Sequence, residues 1–419
     1  MDDKKNKERQ LFTDALELPD SDRLPFLEQA CKDDVILLQR VLDLLNAYSN
    51  ESSVLRTTSS GDLEHAEVED VSGTTLGRYK LLQKIGEGGM GVVYMAEQTD
   101  PVIRKVALKI IKWGMDTKNV VARFEAERQA LAMMDHPNIA KVLDAGATEN
   151  GRPYFVMELV QGVPITEYCE KNRLNTRDRI QLLTTVCQAI QSAHHKGIIH
   201  RDIKPSNVLV SFLHGETTVK VIDFGIAKAT NQKLTEKTLF TNFATMIGTP
   251  AYMSPEQAKM SVIDIDSRTD VYSLGVLLYE LLTGSTPFTE KRLRSLGYGE
   301  IQRVIADEEP EKPSTRISKT LAVGKSDSEK MPPVNNLPNS SIDSDLDWIT
   351  MKCLEKDRRR RYNTVSALGD DLQRHLNDEP VDAAAPTFSY QLAKLYKRHQ
   401  AYARLVIGTV LLLIVATVF

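Results

Sequence analysis

The chain has 419 residues, more than one ordinary core organises, so two or three units are expected. A formal net charge of only −4 argues against a nucleic-acid binder, which would carry a basic excess. Four cysteines (Cys31, Cys169, Cys187, Cys353) stand far apart with no C-x-x-C pair, which argues against zinc ligation and a disulfide framework and for reduced, buried thiols.

Residues 1–49 carry apolar stripes at helical spacing: Leu11, Phe12, Ala15 and Leu16, then Leu24, Phe26, Leu27 and Ala30, then Val35 to Ala47. Pro19–Asp20–Ser21–Asp22 breaks and recaps the chain between the first two, which predicts a small unit of two or three helices. The first residues are charged and lack an apolar core, so no signal peptide is expected. From Asn50 the composition shifts to Ser, Thr, Asp, Glu and Gly. Such a stretch buries too little to offset its ordering entropy, and 50–78 reads as a flexible linker.

Leu81–Ile85 and Val92–Ala96 read as strands on either side of Gly86, Gly88, Gly89 and Gly91. Glycine lets the backbone approach phosphates closely, with N–H groups turned toward them. A dinucleotide-binding turn would have a helix straight after the glycines. β-Branched residues and Tyr94 follow instead, which favours a strand–turn–strand flap. Val106–Ile111 is the next strand, and Lys109 inside that apolar run is costly unless its charge is paired. Its partner is expected on the following helix, Val120 to Met134, from Glu125 or Glu127. Glu127 is favoured, nine residues before His136–Pro137–Asn138. Tyr154–Val160 reads as a buried strand running into a connector. Backbone at Glu158 and Val160 would offer carbonyl and amide groups to an adenine edge, with Met157 behind the pocket.

His200–Arg201–Asp202, then Lys204 and Asn207, then Asp223–Phe224–Gly225 form the most specific pattern in the chain. The spacing reads as a loop, a short hairpin and a metal-binding turn. In phosphoryl transfer, Asp202 would accept a hydroxyl proton, Lys204 would neutralise charge on the moving group, and Asn207 and Asp223 would hold Mg²⁺. Arg201 beside that carboxylate invites an anionic partner. The segment from Asp223 to Glu256 contains Thr235, Thr238, Thr241, Thr245 and Thr249, and phosphothreonine at Thr241 or Thr245 would dock near Arg201.

A polar insertion at about 314–344 reads as a disordered surface loop, and 377–404 as a juxtamembrane segment with Gln391 to Tyr402 helical. Leu405–Phe419 is uncharged and strongly apolar, though shorter than the ~20 residues a span normally needs. Lys394, Lys397, Arg398 and Arg404 precede it, which would place that side in the cytoplasm. The reading is a single-pass cell-membrane anchor at 405–419, either a tail anchor or a span cut short.

Over Tyr79 to Leu376 these residues resemble the eukaryotic-type Ser/Thr protein kinase family, in its bacterial transmembrane branch. The resemblance implies an α+β, two-lobed kinase domain at 79–376: a small five-stranded antiparallel sheet with a helix αC, then a mainly helical lobe. It is flanked by the small helical unit before and the membrane helix after. ATP with Mg²⁺ (Mn²⁺ as an alternative) would lie between the lobes, against Ile85, Gly86, Glu87, Gly88, Gly89, Met90, Gly91, Val93, Ala107, Lys109, Glu127, Met157, Glu158, Val160, Asn207 and Asp223. Asp202 and Lys204 are the catalytic pair, Asp270 matches an aspartate that braces the catalytic loop, and Arg361 matches the arginine that pairs with Glu256. Ser254 departs mildly from the usual Ala-Pro-Glu. Thr249 matches a residue set against Asp202 and Lys204, which fits Ser or Thr acceptors. The implied partners are protein substrates, ATP, a membrane and a second copy for trans-phosphorylation. The alternatives are a catalytically silent pseudokinase scaffold and a small-molecule phosphotransferase of related fold.

Overall fold

The computed structural model describes residues 25–27, 30, 31, 41, 71–88, 91–111, 134–213, 215–224, 250–259, 265–323, 342–398 and 409. The chain divides into two compact units, Met1–Asp70 and Val71–Phe419. In the first, the described residues are helical and Leu27, Cys31 and Val41 are buried. Leu27 and Cys31 stand four apart, the spacing that repeats along one helical face.

The second unit opens with β1 Thr75–Leu76, β2 Tyr79–Gly88, β3 Gly91–Gln98, β4 Arg104–Ile111, β5 Val142–Ala147 and β6 Pro153–Glu158. They form one six-stranded antiparallel sheet in the order β1-β2-β3-β4-β6-β5, one strand more than expected. The addition is β1, which pairs Thr75 with Lys80 inside the stretch read as linker. Along β3, buried Val92, Tyr94 and Ala96 alternate with half-exposed Val93 and Met95, the period-two pattern of a strand with one covered face. From Val106 onward β4 is buried on both faces, which is why it reads as a continuous apolar run. Gly91 permits this pairing: a Cβ there would collide with the Ile110 carbonyl oxygen.

The larger part is helical around a small second sheet of β7 Val163–Pro164, β8 Val208–Leu213 and β9 Glu216–Val221. Its helices are α1 Ile165–Lys171, α2 Thr176–His195, α3 Pro255–Ala258, α4 Arg268–Thr283, α5 Glu290–Arg294, α6 Tyr298–Asp307, α7 Pro313–Val323, α8 Ser344–Cys353, α9 Val365–Leu376 and α10 Phe388–Arg398. The α2 N-cap is Asn175, whose side chain accepts the Asp178 N–H. One face of α2, with Ile180, Leu183, Val186, Cys187 and Ile190, is buried at three-to-four spacing. Helix α4 is apolar nearly all round and runs through the core, with Val271, Leu274, Leu277, Leu278 and Leu281 in one cluster and Tyr272, Val276 and Tyr279 in another. All four cysteines are free and buried. Burial pushes the Cys169 thiol up to about 11 and that of Cys187 to about 12.

Two expectations need correction. The polar stretch at 314–344 begins as a helix, α7, not as a loop. The Ser314 N–H and hydroxyl both donate to the Asp347 carboxylate, at 3.0 and 2.5 Å, and Pro313, Ile317 and Leu321 form a narrow inward stripe among otherwise polar residues. The helix expected from Gln391 is α10, which starts at Phe388. Among the described residues no helix is long and apolar enough to cross a membrane, and the run 405–419 lies outside them except for Thr409.

Candidate active site

Between α2 and β8 the chain crosses His200–Asn207, ending in a 3-10 turn at Pro205–Asn207. Arg201 has φ of 63° and Asp223 of 59°. Such left-handed backbone costs a non-glycine residue roughly 1–3 kcal/mol and persists only where neighbours impose it. At Arg201 the neighbour is Asp270, at the start of α4. It accepts the His200 and Arg201 N–H groups, each at 2.8 Å, and lies 2.7 Å from His194 Nε2. Burial alone would raise the Asp270 carboxyl, but His194, His200 and these donors outweigh it and hold it below the usual carboxylate range.

This brace presents three polar side chains together. Lys204 Nζ lies 2.9 Å from Asp202 Oδ2. Asn207 Nδ2 donates to the Asp202 carbonyl at 2.8 Å and to Asp202 Oδ2 at 3.1 Å, which leaves Oδ1 as the ligating atom of that amide. The Ile222 N–H donates to the Asn207 carbonyl at 2.9 Å, so the next residue, Asp223, emerges beside the same loop. His200 packs tilted against Phe224 with ring centroids 4.5 Å apart, its Nε2 lies 3.2 Å from the Ile222 carbonyl, and burial lowers the pKa of its imidazole.

From the sheet side, register brings the flap and the lysine into line. Gly86 stands opposite Val93, Val93 opposite Lys109, and Lys109 opposite Phe155. Lys109 is 8% exposed, and its ammonium donates to Asp223 Oδ1 and Oδ2 at 2.5 and 2.6 Å. The acid expected to pair with it, Glu127, lies outside the described residues together with Glu125, Gly89 and Met90. The partner that the structure does give Lys109 is 114 residues away in sequence.

Buried Ala107 sits opposite Met157, a small side chain facing a half-buried one, while Ile85 at the base of the flap is exposed. Met157 packs against Ile111 and Phe155. At the connector the Glu158 N–H donates to the Lys141 carbonyl at 2.9 Å, and its carboxylate lies 2.8 Å from Lys220 Nζ. The Glu158 amide is therefore engaged, so the groups this connector can offer a ligand are the Glu158 carbonyl and the Val160 backbone.

Below the loop, Glu256 receives the Arg361 guanidinium at 2.8 and 2.9 Å and the Thr269 hydroxyl at 2.8 Å. Burial would raise the Glu256 carboxyl, yet Arg361 and Thr269 together hold it below the ordinary range. Sequence reasoning missed Gln257. It forms a capping box with Ser254 at the start of α3 and donates from Nε2 to the Arg201 carbonyl at 2.9 Å. The Ser254-x-x-Gln257 spacing was the available signal. Thr241, Thr245 and Thr249 lie outside the described residues.

The donors fit a hard divalent ion: a carboxylate at Asp223 and an amide oxygen at Asn207, both oxygen ligands beside a second carboxylate. Taken together, the site can hold a polyphosphate by lysine and flap, a metal by two oxygen ligands, and a proton at Asp202.

Comparison with known proteins agrees with this geometry. Residues 79–372 match the family model of the protein kinase domain. The probable serine/threonine-protein kinase PknB of Lactococcus lactis is 35% identical over 297 residues, covering 70% of this chain and 41% of that protein. PknB of Mycobacterium tuberculosis is 35% identical over 311 residues, 73% of this chain and 44% of that protein. A probable serine/threonine-protein kinase of Clostridium perfringens is 38% identical over 309 residues, 73% and 39% respectively. The chain thus spans less than half the length of these relatives. The crystal structure of the M. tuberculosis PknI kinase domain superposes with a TM-score of 0.51 at 22% identity, covering 73% of this chain and 98% of that one, a likeness of fold.

Proposed function

We propose that this chain, which belongs to the protein kinase family, transfers the γ-phosphoryl group of Mg-ATP to serine and threonine hydroxyls of proteins, its own activation segment included. The observation that supports this most directly is the convergence of Lys204 and Asn207 on Asp202, at 2.9 and 3.1 Å, beside the Lys109–Asp223 pair. Asp202 accepts the proton as the hydroxyl oxygen attacks, and Asn207 and Lys204 fix its orientation. Lys204 then offsets charge on the transferring group, while Lys109, buried in β4, holds the α- and β-phosphates. Asn207 and Asp223 would hold a magnesium ion, which would supply charge neutralisation during transfer. Lys109 and Asp223 begin in contact, so the lysine that meets the phosphates already neighbours the carboxylate that meets the metal.

Transfer of labelled phosphate from ATP to a generic protein substrate, followed by phosphoamino-acid analysis, tests this. Label on serine or threonine that vanishes in Asp202→Asn supports the reading. Label on tyrosine, or an Asp202→Asn protein as active as the wild type, overturns it.

Two finer parts of the proposal rest on sequence. Thr241 or Thr245 takes phosphate and docks near Arg201. Peptide mapping of ATP-treated protein checks this, and no phosphate on any activation-segment threonine would count against it. Leu405–Phe419 anchors the chain in the cell membrane with the kinase domain on the cytoplasmic side, supported by its lack of charge and by the basic residues before it.

A further inference from the structure

Helix α10 is amphipathic the wrong way round. Its charged face is turned onto the kinase domain. Lys394, 6% exposed, pairs with Asp345; Lys397 Nζ lies 2.6 Å from Asp378, and Arg398 lies 3.4 Å from Glu379. Tyr390 completes the dock, donating its hydroxyl to Asp345 Oδ1 at 2.8 Å, accepting the Val381 N–H at 3.1 Å and meeting Trp348 edge-on at 5.5 Å. Asp343, Asp345 and His375 are grouped as a cation site would be, and the Lys394 ammonium is the cation beside them.

The other face carries Phe388, Leu392, Leu395 and Tyr396, at 79, 53, 51 and 47% exposure. Their spacing of i, i+4, i+7 and i+8 places them on one stripe of the helix. A surface helix normally buries that stripe, and an exposed one marks a partner. Continuity along the chain says which partner. Seven residues beyond Arg398 begins the uncharged run Leu405–Phe419, and the stripe mixes aliphatic with aromatic side chains, the composition favoured where lipid meets water.

We propose that α10 lies in the plane of the membrane surface, with Phe388, Leu392, Leu395 and Tyr396 in the headgroup–acyl boundary and the ionic face clamped to α8 and to Asp378 and Glu379 just after α9. This rests on the anchor reading of 405–419. The helix, about 16 Å long, would then be a rigid plate between bilayer and kinase domain, fixing the domain's orientation to the membrane rather than leaving it on a loose tether.

The test uses the full chain with vesicles of phosphatidylethanolamine and phosphatidylglycerol, carrying a nitroxide at Leu392→Cys, Leu395→Cys or Ala393→Cys. Ala393 is exposed but off the stripe, and the four native cysteines are buried. The expected result is that labels at 392 and 395 gain collisions with oxygen and lose collisions with a water-soluble nickel chelate, while the label at 393 stays open to nickel. Flotation in a density gradient reads the anchor separately. A chain that floats with all three labels equally open to nickel overturns the helix assignment and leaves the anchor standing. Spin–spin broadening between copies at 395 overturns it in favour of a dimer seam. A chain that does not float overturns the anchor and this inference together.

Discussion

The cleft and the base of the helical lobe each hold a lysine or arginine against a carboxylate, and the two pairs behave as opposites. Lys109–Asp223 sits at the mouth of the cleft, its acid on strained backbone and partly open to solvent. Glu256–Arg361 is sealed, bidentate and further satisfied by Thr269 and by the Glu355 carbonyl at 2.7 Å. A pair that is fully hydrogen-bonded in the interior has nothing left to offer a ligand. One that is open on a side can exchange partners, and the accessible pair is therefore the one assigned to chemistry.

Substitutions can break this contrast. Asp202→Asn should have the largest effect, lowering phosphate transfer by ~10²–10⁴-fold with the thermal midpoint unmoved. A fall in both would mean that Asp202 belongs with the structural pair. Arg361→Met should do the reverse, removing about 3–5 kcal/mol of unfolding free energy by stranding the Glu256 charge. Urea titration measures it, and Glu256→Met in the same chain should recover part of the loss. Lys109→Met should cost ~10²–10³-fold in turnover while urea curves stay near wild type, and a strongly destabilised variant would erase the distinction drawn here.

Acid sharpens the comparison. Glu256 and Asp270 are held below the ordinary carboxylate range, as is Asp345, where burial raises the carboxyl but His375, Lys394 and Tyr390 outweigh it. Each binds a proton more readily unfolded than folded. Their contribution is complete above about pH 5, clear of the unfolded carboxylate values, and drains away as pH falls through the depressed folded values. Urea midpoints should be level near neutrality and drop below that point; a midpoint that rises in acid would contradict the assignment. The smallest effect is expected of Gln257→Ala, about 0.5–1.5 kcal/mol, seen as a lowered melting temperature together with slower transfer as the Arg201 carbonyl loses its tether.

Much of the site was legible because its residues are dense in sequence: the glycines, Lys109, His200 to Asn207 and Asp223 to Phe224 lie on short stretches whose alternation is visible without a structure. What escaped was contact between distant stretches. Nothing local marks Asp144 as the acceptor of the Tyr79 hydroxyl at 2.6 Å, because 65 residues separate them. Helix α7 was missed since its inward stripe is only Pro313, Ile317 and Leu321 among polar residues, and the Asp347 carboxylate that fixes its first turn is distant in sequence. The α10 stripe was readable, but which face turns inward was not, because Asp345 and Asp378 decide it.

The Glu256–Arg361 staple spans 105 residues, and that distance sets a schedule. A polypeptide is made from its N-terminus, so the flap, Lys109 and the Asp202 loop all leave the ribosome well before Arg361. Until the guanidinium arrives, Glu256 cannot be buried at tolerable cost, and Gln257, its neighbour, cannot settle beneath Arg201. A copy ending short of Arg361 would thus carry Asp202, Asn207 and Asp223 without the staple that settles Glu256 and, through Gln257, the Arg201 carbonyl.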